Sequence, residues 1–198
     1  MNKPLLIEIG VEELPAIPLL KELNNIPKKW DTICSEYNLK SDFKFYYTPR
    51  RLIFSHPDFA SKQADIEEEL FGPPVAIAYK DGEPTKACES FAKKAGIEIS
   101  QIQTIEKKGK EVLYARVTQK GLESTTLLQE MLNKLLDSLK FGKTMRWGES
   151  SESFIRPIRW IVALFDKEVV PVTLYNVTSS NYTFAHRIFS YDKQEIPL

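Results

Sequence analysis

A chain of 198 residues that is 42% hydrophobic and 11% aromatic has enough apolar material for one large domain or two small ones. Lysine plus arginine equals aspartate plus glutamate, at 27 each, which excludes gripping a polyanion by bulk charge, so any nucleic-acid contact has to be local. No apolar run reaches the roughly 18 residues of a membrane span. An acid at Glu8 interrupts the N-terminus before a secretion signal could develop, so the expectation is a soluble, cytoplasmic chain without membrane contact.

Leu5-Leu-Ile-Glu-Ile-Gly10 reads as a short buried strand with Glu8 on a strand edge, and Glu12-Glu13-Leu-Pro15 as its exit into a helix. Ile17, Leu20 and Leu23, then Trp30, Ile33, Cys34 and Tyr37, recur at helical spacing. Asn24-Asn25-Ile26-Pro27 splits them into two helices, with Pro27 in the first turn of the second. Residues 42–47 and 51–55 read as two strands around the turn Thr48-Pro49-Arg50. The acids Asp65, Glu67, Glu68 and Glu69 then lead to Gly72-Pro73-Pro74, the clearest punctuation in the chain.

Val75 to Tyr79 reads as a strand ending in the turn Asp81-Gly82, and Thr85 is placed to cap a helix that runs to Ala95 and is closed by Gly96. Residues 102–106 and 111–117 pair as a hairpin across Lys107 to Lys110. Leu127, Leu128, Met131, Leu132, Leu135, Leu136 and Leu139 form one apolar helix face; Thr126 with Gln129 has the form of a capping box, and Gly142 ends the helix. Trp160 to Phe165 and Val169 to Tyr175 make a hairpin around Asp166-Lys167. The chain stops at Ile196-Pro197-Leu198 with no closing element, which reads as a fragment of something longer. The pattern predicts an α+β fold of mixed or antiparallel strands and hairpins with packed amphipathic helices. Its expected subregions are an α+β portion at 1–71, a strand-helix-hairpin-helix portion at 72–142, and an Arg/Trp segment with a hairpin at 143–198 that packs back on the first.

Cys34 and Cys88 lack the paired spacing of a zinc or redox site and read as small core residues; His56 and His186 have no ligand cluster nearby, so no metal site is expected. Of the 27 basic residues seven are arginine, and six of these fall in three stretches: Arg50 and Arg51; Arg146, Arg156 and Arg159; and Arg187. Where lysine is the default cation, arginine marks places that use a planar fork for carboxylate or phosphate and a face that stacks on aromatics. On strand alternation Arg50 and Arg51 cannot both face a core, so one is expected to reach solvent, a partner or a phosphate; the alternative is an ion pair with Asp42 or with Glu67 to Glu69.

The stretch Lys143 to Trp160 interleaves Arg146, Arg156 and Arg159 with Trp147 and Trp160. It reads either as an RNA surface, where guanidinium and indole planes stack on bases, or as a buried brace in which the indoles fill core and Arg156 or Arg159 pairs with Glu149 or Glu152. Arg146 is expected outside and Arg156 inside. Glu8, Glu12 and Glu13 have no histidine, cysteine or serine beside them, and the glycine-rich loop of a nucleotide cradle is absent, so no catalytic residue is assigned.

Four stretches together, "LLIEIGVEELP" at 5–15, "YTPRRL" at 47–52, "GPPV…GEPTKACESFAKKAGI" within 72–97 and "KTMRWG…FIRPIRWIVAL" within 143–164, closely resemble the N-terminal region of the bacterial glycyl-tRNA synthetase beta subunit. Ala185-His-Arg-Ile-Phe189 resembles that family's Gly-His-Arg-Phe motif, with alanine in the glycine place and an isoleucine inserted. The resemblance implies a heterotetramer of two alpha and two beta chains that joins glycine to tRNA(Gly) using ATP and magnesium. It also implies a class II catalytic core on the alpha subunit, a beta subunit needed for tRNA recognition, and no cofactor bound by this stretch. On that reading Arg50, Arg51, Arg146, Arg156, Arg159 and Arg187 are candidates for RNA or partner contact, and Trp147 and Trp160 for stacking or packing. The expected function is support of tRNA recognition and subunit assembly. The alternative is a protein-interaction scaffold without RNA contact, favoured by the neutral charge and the apolar face from Leu127 to Leu139.

Overall fold

The computed structural model describes residues 2–80, 82–107, 109–148, 151–186, 188, 190 and 192–198. In chain order the elements are β1 (Asn2–Val11), α1 (Ala16–Glu22), α2 (Ile26–Glu36), β2 (Lys44–Thr48), β3 (Arg51–Ala60), β4 (Ile66–Pro74), α3 (Val75–Ala78), β5 (Tyr79–Lys80), β6 (Glu83–Pro84) and α4 (Lys86–Ala95). There follow a 3-10 turn at Ile99–Gln101, β7 (Gln103–Lys107), β8 (Lys110–Gln119), α5 (Ser124–Ser138), β9 (Ile158–Phe165), β10 (Glu168–Val169), β11 (Thr173–Leu174), β12 (Val177–Thr178), β13 (Tyr182–Phe184) and β14 (Lys193–Glu195). Helices with antiparallel sheets make this the α+β fold predicted. The chain forms two compact units, Met1–Gln63 with Leu122–Leu198, and Ala64–Gly121. The boundaries expected at 71/72 and 142/143 therefore lie elsewhere: the long helix α5 belongs with the first unit, because its apolar face is buried on that unit's sheet.

In the first unit a five-stranded sheet has the order β10-β9-β1-β3-β2. The central strand β1 pairs antiparallel with β3 on one side and β9 on the other. Side chains alternate across a strand, so a central strand buries both sets. Leu5, Ile7, Ile9 and Val11 join Trp30 and Ile33 of α2 and Leu128, Met131, Leu132 and Leu135 of α5 in the main core. Leu6 on the opposite face packs with Trp160, Val162, Leu164, Phe184 and Ile196, so the C-terminal segment covers that side. Each fully buried Leu or Met of α5 contributes about 1.5–3 kcal/mol, which fixes the helix on the sheet more firmly than its own turns could.

Several local expectations give way to tertiary contacts. The split at Asn25 and Pro27 is made, but α1 buries Leu19 and Glu22 while Ile17 and Leu20 face out. Gln129 does not cap α5: its amide exchanges two hydrogen bonds with the Thr173 main chain, and Glu123 is the N-cap. That helix ends at Ser138, before Gly142, which takes a positive φ of 85° in the following loop. The second arm of the β9 hairpin is only Glu168–Val169, since Pro171 has no N–H to extend the ladder.

Two buried polar groups brace the first unit. Glu22 accepts from Lys29 Nζ, from Asn25 Nδ2 at 3.1 Å and from the Lys140 N–H at 3.1 Å, while Lys29 also donates to Ser138 O at 2.6 Å, tying the first two helices to the end of α5. Burial raises the Glu22 pKa, and the bonds from Lys29, Asn25 and Lys140 outweigh it, leaving the carboxyl below its ordinary value. His56, 1% exposed, accepts from Trp30 Nε1–H at 2.8 Å through Nε2, so Nδ1 carries the proton and faces Ser41 Oγ at 2.8 Å.

Burial pushes the His56 pKa down to about 4. Below an ordinary value of about 6.5 the unfolded chain binds a proton that the folded one refuses, so stability falls as pH drops from 6.5 towards 4. Between pH 7 and pH 5 this histidine is expected to cost about 2 kcal/mol. Denaturant midpoints at the two pH values should show that loss in the native chain, and His56→Gln should lack this part of it.

In the second unit β4, β8 and β7 form an antiparallel sheet, and Ala78, Cys88, Phe91, Ala95, Leu113 and Ala115 make its core. A Cβ on Gly72 would meet Phe91 and Leu113 at 2.8 and 2.9 Å, so the glycine allows the helix to sit on the sheet. The acids expected to precede the Gly-Pro-Pro break lie mostly inside β4, facing out; Glu69 accepts from Tyr114 Oη at 2.8 Å and Arg116 Nη2 at 3.2 Å. Val75 to Ala78, expected as strand, is a helical turn started by Pro74. Its carbonyls at Ile77 and Ala78 take the Thr85 hydroxyl at 2.9 and 3.1 Å, which is why Thr85 precedes α4 without capping it through its side chain. Gly96 closes α4 in the left-handed region, as expected.

Candidate functional site

The polar face of the central sheet is built from register. Gly10 on β1 lies between Trp160 on β9 and Arg51 on β3. With no side chain at Gly10 the indole lies flat over the strand: a Cβ there would stand 2.0 Å from Trp160 Cδ2 and Cε2. Two residues along the same face, Glu8 is 5% exposed in the middle of the sheet, which corrects the expectation that it sits on a strand edge. Burying a carboxylate costs several kcal/mol unless it is bonded and paired. Glu8 Oε1 accepts from Trp160 Nε1–H at 2.7 Å and from Thr183 Oγ1–H at 2.6 Å, with Arg51 Nη1 3.6 Å away.

Arg51 in turn donates from Nη2 to Phe184 O at 2.6 Å and from Nη1 to Thr183 Oγ1 at 3.4 Å, and its buried Nε is unpartnered among the described residues. The guanidinium carbons of Arg50 and Arg51 lie 5.8 and 5.6 Å from the Trp160 ring centroid, and Phe184 packs on the same indole at 5.0 Å. Arg50 belongs to the turn and Arg51 begins the strand, so both reach one ring, and neither is fully buried. The partner of Arg51 is Glu8, in place of Asp42 or the acids at 67–69.

Arg50, Arg51 and Phe184 of this cluster also line a cavity of about 510 Å³, together with Glu13, Thr48, Pro49, Ala185, His186 and Ile188. The Thr-Pro-Arg-Arg turn and the C-terminal Ala-His segment, 134 positions apart from Arg51 to Ala185, thus share one wall-to-wall space. His186 Nδ1 accepts the Ile188 N–H at 3.3 Å. Arg187 lies outside the described residues.

The remaining candidates stand apart from this cavity. Arg146 is exposed, as expected. Arg156 is half-buried, donating to Glu13 O and Ile155 O at 3.3 Å each, so main-chain carbonyls anchor it. Glu149 itself lies outside the described residues. Arg159 is exposed and pairs with Glu12 at 3.8 Å. Trp160 is core, whereas Trp147 is half-buried and stacks on Tyr175 at 5.3 Å. Gly10, Thr183 and Phe184 were missed by sequence reasoning; a glycine and an acid inside an apolar strand were the available signal for two members of the site.

Among the described residues no three His, Cys, Asp or Glu side chains converge as a metal site, and no helix is long and apolar enough to cross a membrane. The family model of the glycyl-tRNA synthetase beta subunit matches residues 5–197. The chain is 37% identical over its full length to the glycine–tRNA ligase beta subunit of Moorella thermoacetica, 40% over 96% of its length to that of Bacillus subtilis, and 36% over 92% to that of Trichodesmium erythraeum. It spans 29%, 28% and 26% of those proteins respectively, less than a third of each. With the Glu-Ile-Gly strand, the Arg-Arg turn and the Ile-Arg-Trp strand meeting at one indole, and the match running nearly end to end, the chain belongs to the glycyl-tRNA synthetase beta subunit family.

Proposed function

We propose that this chain is the N-terminal part of a beta subunit that supports tRNA recognition and subunit assembly during ATP-dependent glycylation of tRNA(Gly), in a cytoplasmic heterotetramer of two alpha and two beta chains. The observation that carries the reading is the placement of Arg50 and Arg51 together over the Trp160 face at the rim of an open cavity. Guanidiniums held on an aromatic plane are rigid phosphate hands, and local cationic sites are the route to RNA for a chain with no net charge. On this reading Arg50 meets RNA, the exposed Arg146 and Arg159 are further contacts, and Arg51 and Trp160 hold the surface in shape. ATP and magnesium belong to the alpha subunit's chemistry.

The scaffold reading keeps a separate support. The helical face from Leu127 to Leu139, once its main argument, is buried in the chain's own core and is not available to a partner. Ile17, Leu20, Tyr46 and Tyr47 are exposed instead, and Leu20 and Tyr47 line a groove of about 420 Å³. That apolar surface suits contact with the alpha subunit.

Aminoacylation by purified alpha chain with full-length beta, against beta lacking residues 1–198, tests the proposal. Loss of charging by at least about tenfold is expected, the equivalent of one strong charged contact in the transition state. Undiminished charging would remove any essential role.

A further inference from the structure

We propose that the open face of the β4-β8-β7 sheet is a self-complementary surface on which a second copy of this chain docks by an isologous two-fold contact. The proposal goes beyond the RNA-contact reading and is independent of it. Side chains alternate across a sheet, so register decides which of them share a face. Leu70, Leu113, Ala115 and Val117 lie on one face, where they cluster with Cys88, Phe91 and Ala95 of α4. The other face carries Phe71 beside Tyr114, their ring centroids 5.7 Å apart, and Ile105 beside Val112. Phe71 and Ile105 are each 43% exposed, so an aromatic and aliphatic centre stands open.

The charges on this face are sorted by end. Lys107 and Lys110 stand opposite one another at the hairpin end, with Lys107 Nζ 3.2 Å from the Phe71 ring centroid. Glu67 and Glu69 stand at the far end, where Arg116 offsets them in part at 4.0 and 3.2 Å. Glu106 and Glu111, the acids nearest the lysines, are cross-strand partners on the α4 side. A polyanion would meet the two glutamates, and a uniformly acidic or basic partner would suit one end alone. A surface with the opposite order suits both, and a second copy presents that order when it is turned around.

Two such faces can meet about a two-fold axis lying between them, in the manner of sheets packed about 10 Å apart. With the axis along the strands, lysines would face lysines. With the axis across the strands, the row of Phe71 and Tyr114 returns on itself, because Tyr114 is midway between Lys110 and Thr118. Lys110 of each copy then comes to the row that holds Glu67 in the other, displaced by about one strand spacing, roughly 5 Å. Repulsion in the first arrangement and a twice-repeated attraction in the second select one orientation. Three strands about 4.8 Å apart and about 20 Å of β8 give each face a footprint of roughly 300 Å², below a standard interface, so the association is weak.

Sedimentation equilibrium of the 198-residue chain from about 10 μM to about 1 mM tests the face. The weight-average mass is expected to rise from 22.8 kDa towards twice that value, with a dissociation constant of about 0.1 mM. Lys110→Glu and Glu67→Lys each bring like charges together twice, and each should weaken the dimer at least about tenfold. Both side chains are exposed, so neither change should disturb folding. An equimolar mixture of the two variants restores both opposite-charge pairs, as does the double variant, and each should return to about the native affinity. A chain that stays at 22.8 kDa throughout, a dimer indifferent to both reversals, or single losses that neither the mixture nor the double variant repairs overturns the proposal. The first of these outcomes would leave the face to a partner other than this chain.

Discussion

Replacing Glu8 with alanine is expected to destabilise the chain by about 3–5 kcal/mol, the range for removing one partner of a buried charged pair. Three groups lose their acceptor together: the Trp160 N–H, the Thr183 hydroxyl and the half-buried Arg51 guanidinium. The indole N–H in particular does not find water easily, because Glu8 and Trp160 are each about 5% exposed. Glu8→Gln keeps an oxygen for the indole and the hydroxyl and gives up only the charge opposite Arg51, so about 1–2 kcal/mol is expected. Urea unfolding of the three proteins checks the order. Equal stability of Glu8→Ala and the native chain would mean that the cluster does not hold this face together.

The second large effect is at Gly10. A methyl group there would overlap the indole at 2.0 Å, and at that separation the ring cannot adjust by a few tenths of an ångström; it has to leave. Overpacking of this kind costs about 1–3 kcal/mol. The displaced indole also gives up its bond to Glu8 and its contacts with Phe184 and the two arginines, which brings the expected loss for Gly10→Ala to about 3–5 kcal/mol. Because the two sites touch, the cost should not add: Gly10→Ala combined with Trp160→Leu is expected to be more stable than the sum of the single losses. Strict additivity, measured by the same unfolding transitions, would contradict the close approach.

The elements were legible where period and punctuation agreed. The β1, β3, β8 and β9 strands and the α2, α4 and α5 helices follow from alternation or helical spacing, because packing against one core rewards the same pattern that the sequence displays. Short elements were decided elsewhere. Thr85 and Gln129 each carry a plausible capping signal and spend their side chains on distant carbonyls and amides, contacts that no local rule contains. The site was legible in Arg50, Arg51 and Trp160 and illegible in its wiring. Glu8 and Arg51 are 43 positions apart, and Thr183 lies 175 from Glu8; only the pairing of β1 with β3 and β9, and the cover supplied by the C-terminal segment, brings them to one indole.

The proposed RNA contact rests above all on the guanidinium of Arg50, which lines the cavity. The affinity of the complete alpha–beta enzyme for tRNA(Gly), measured across salt concentrations with native beta and with Arg50→Ala, tests that contact directly. One lost phosphate contact is expected to weaken binding and reduce the slope of log affinity against log salt by about one. Arg156→Ala, whose side chain is tied to main-chain carbonyls, should leave the slope unchanged. Identical slopes for native beta and Arg50→Ala would contradict an RNA-facing role for this surface.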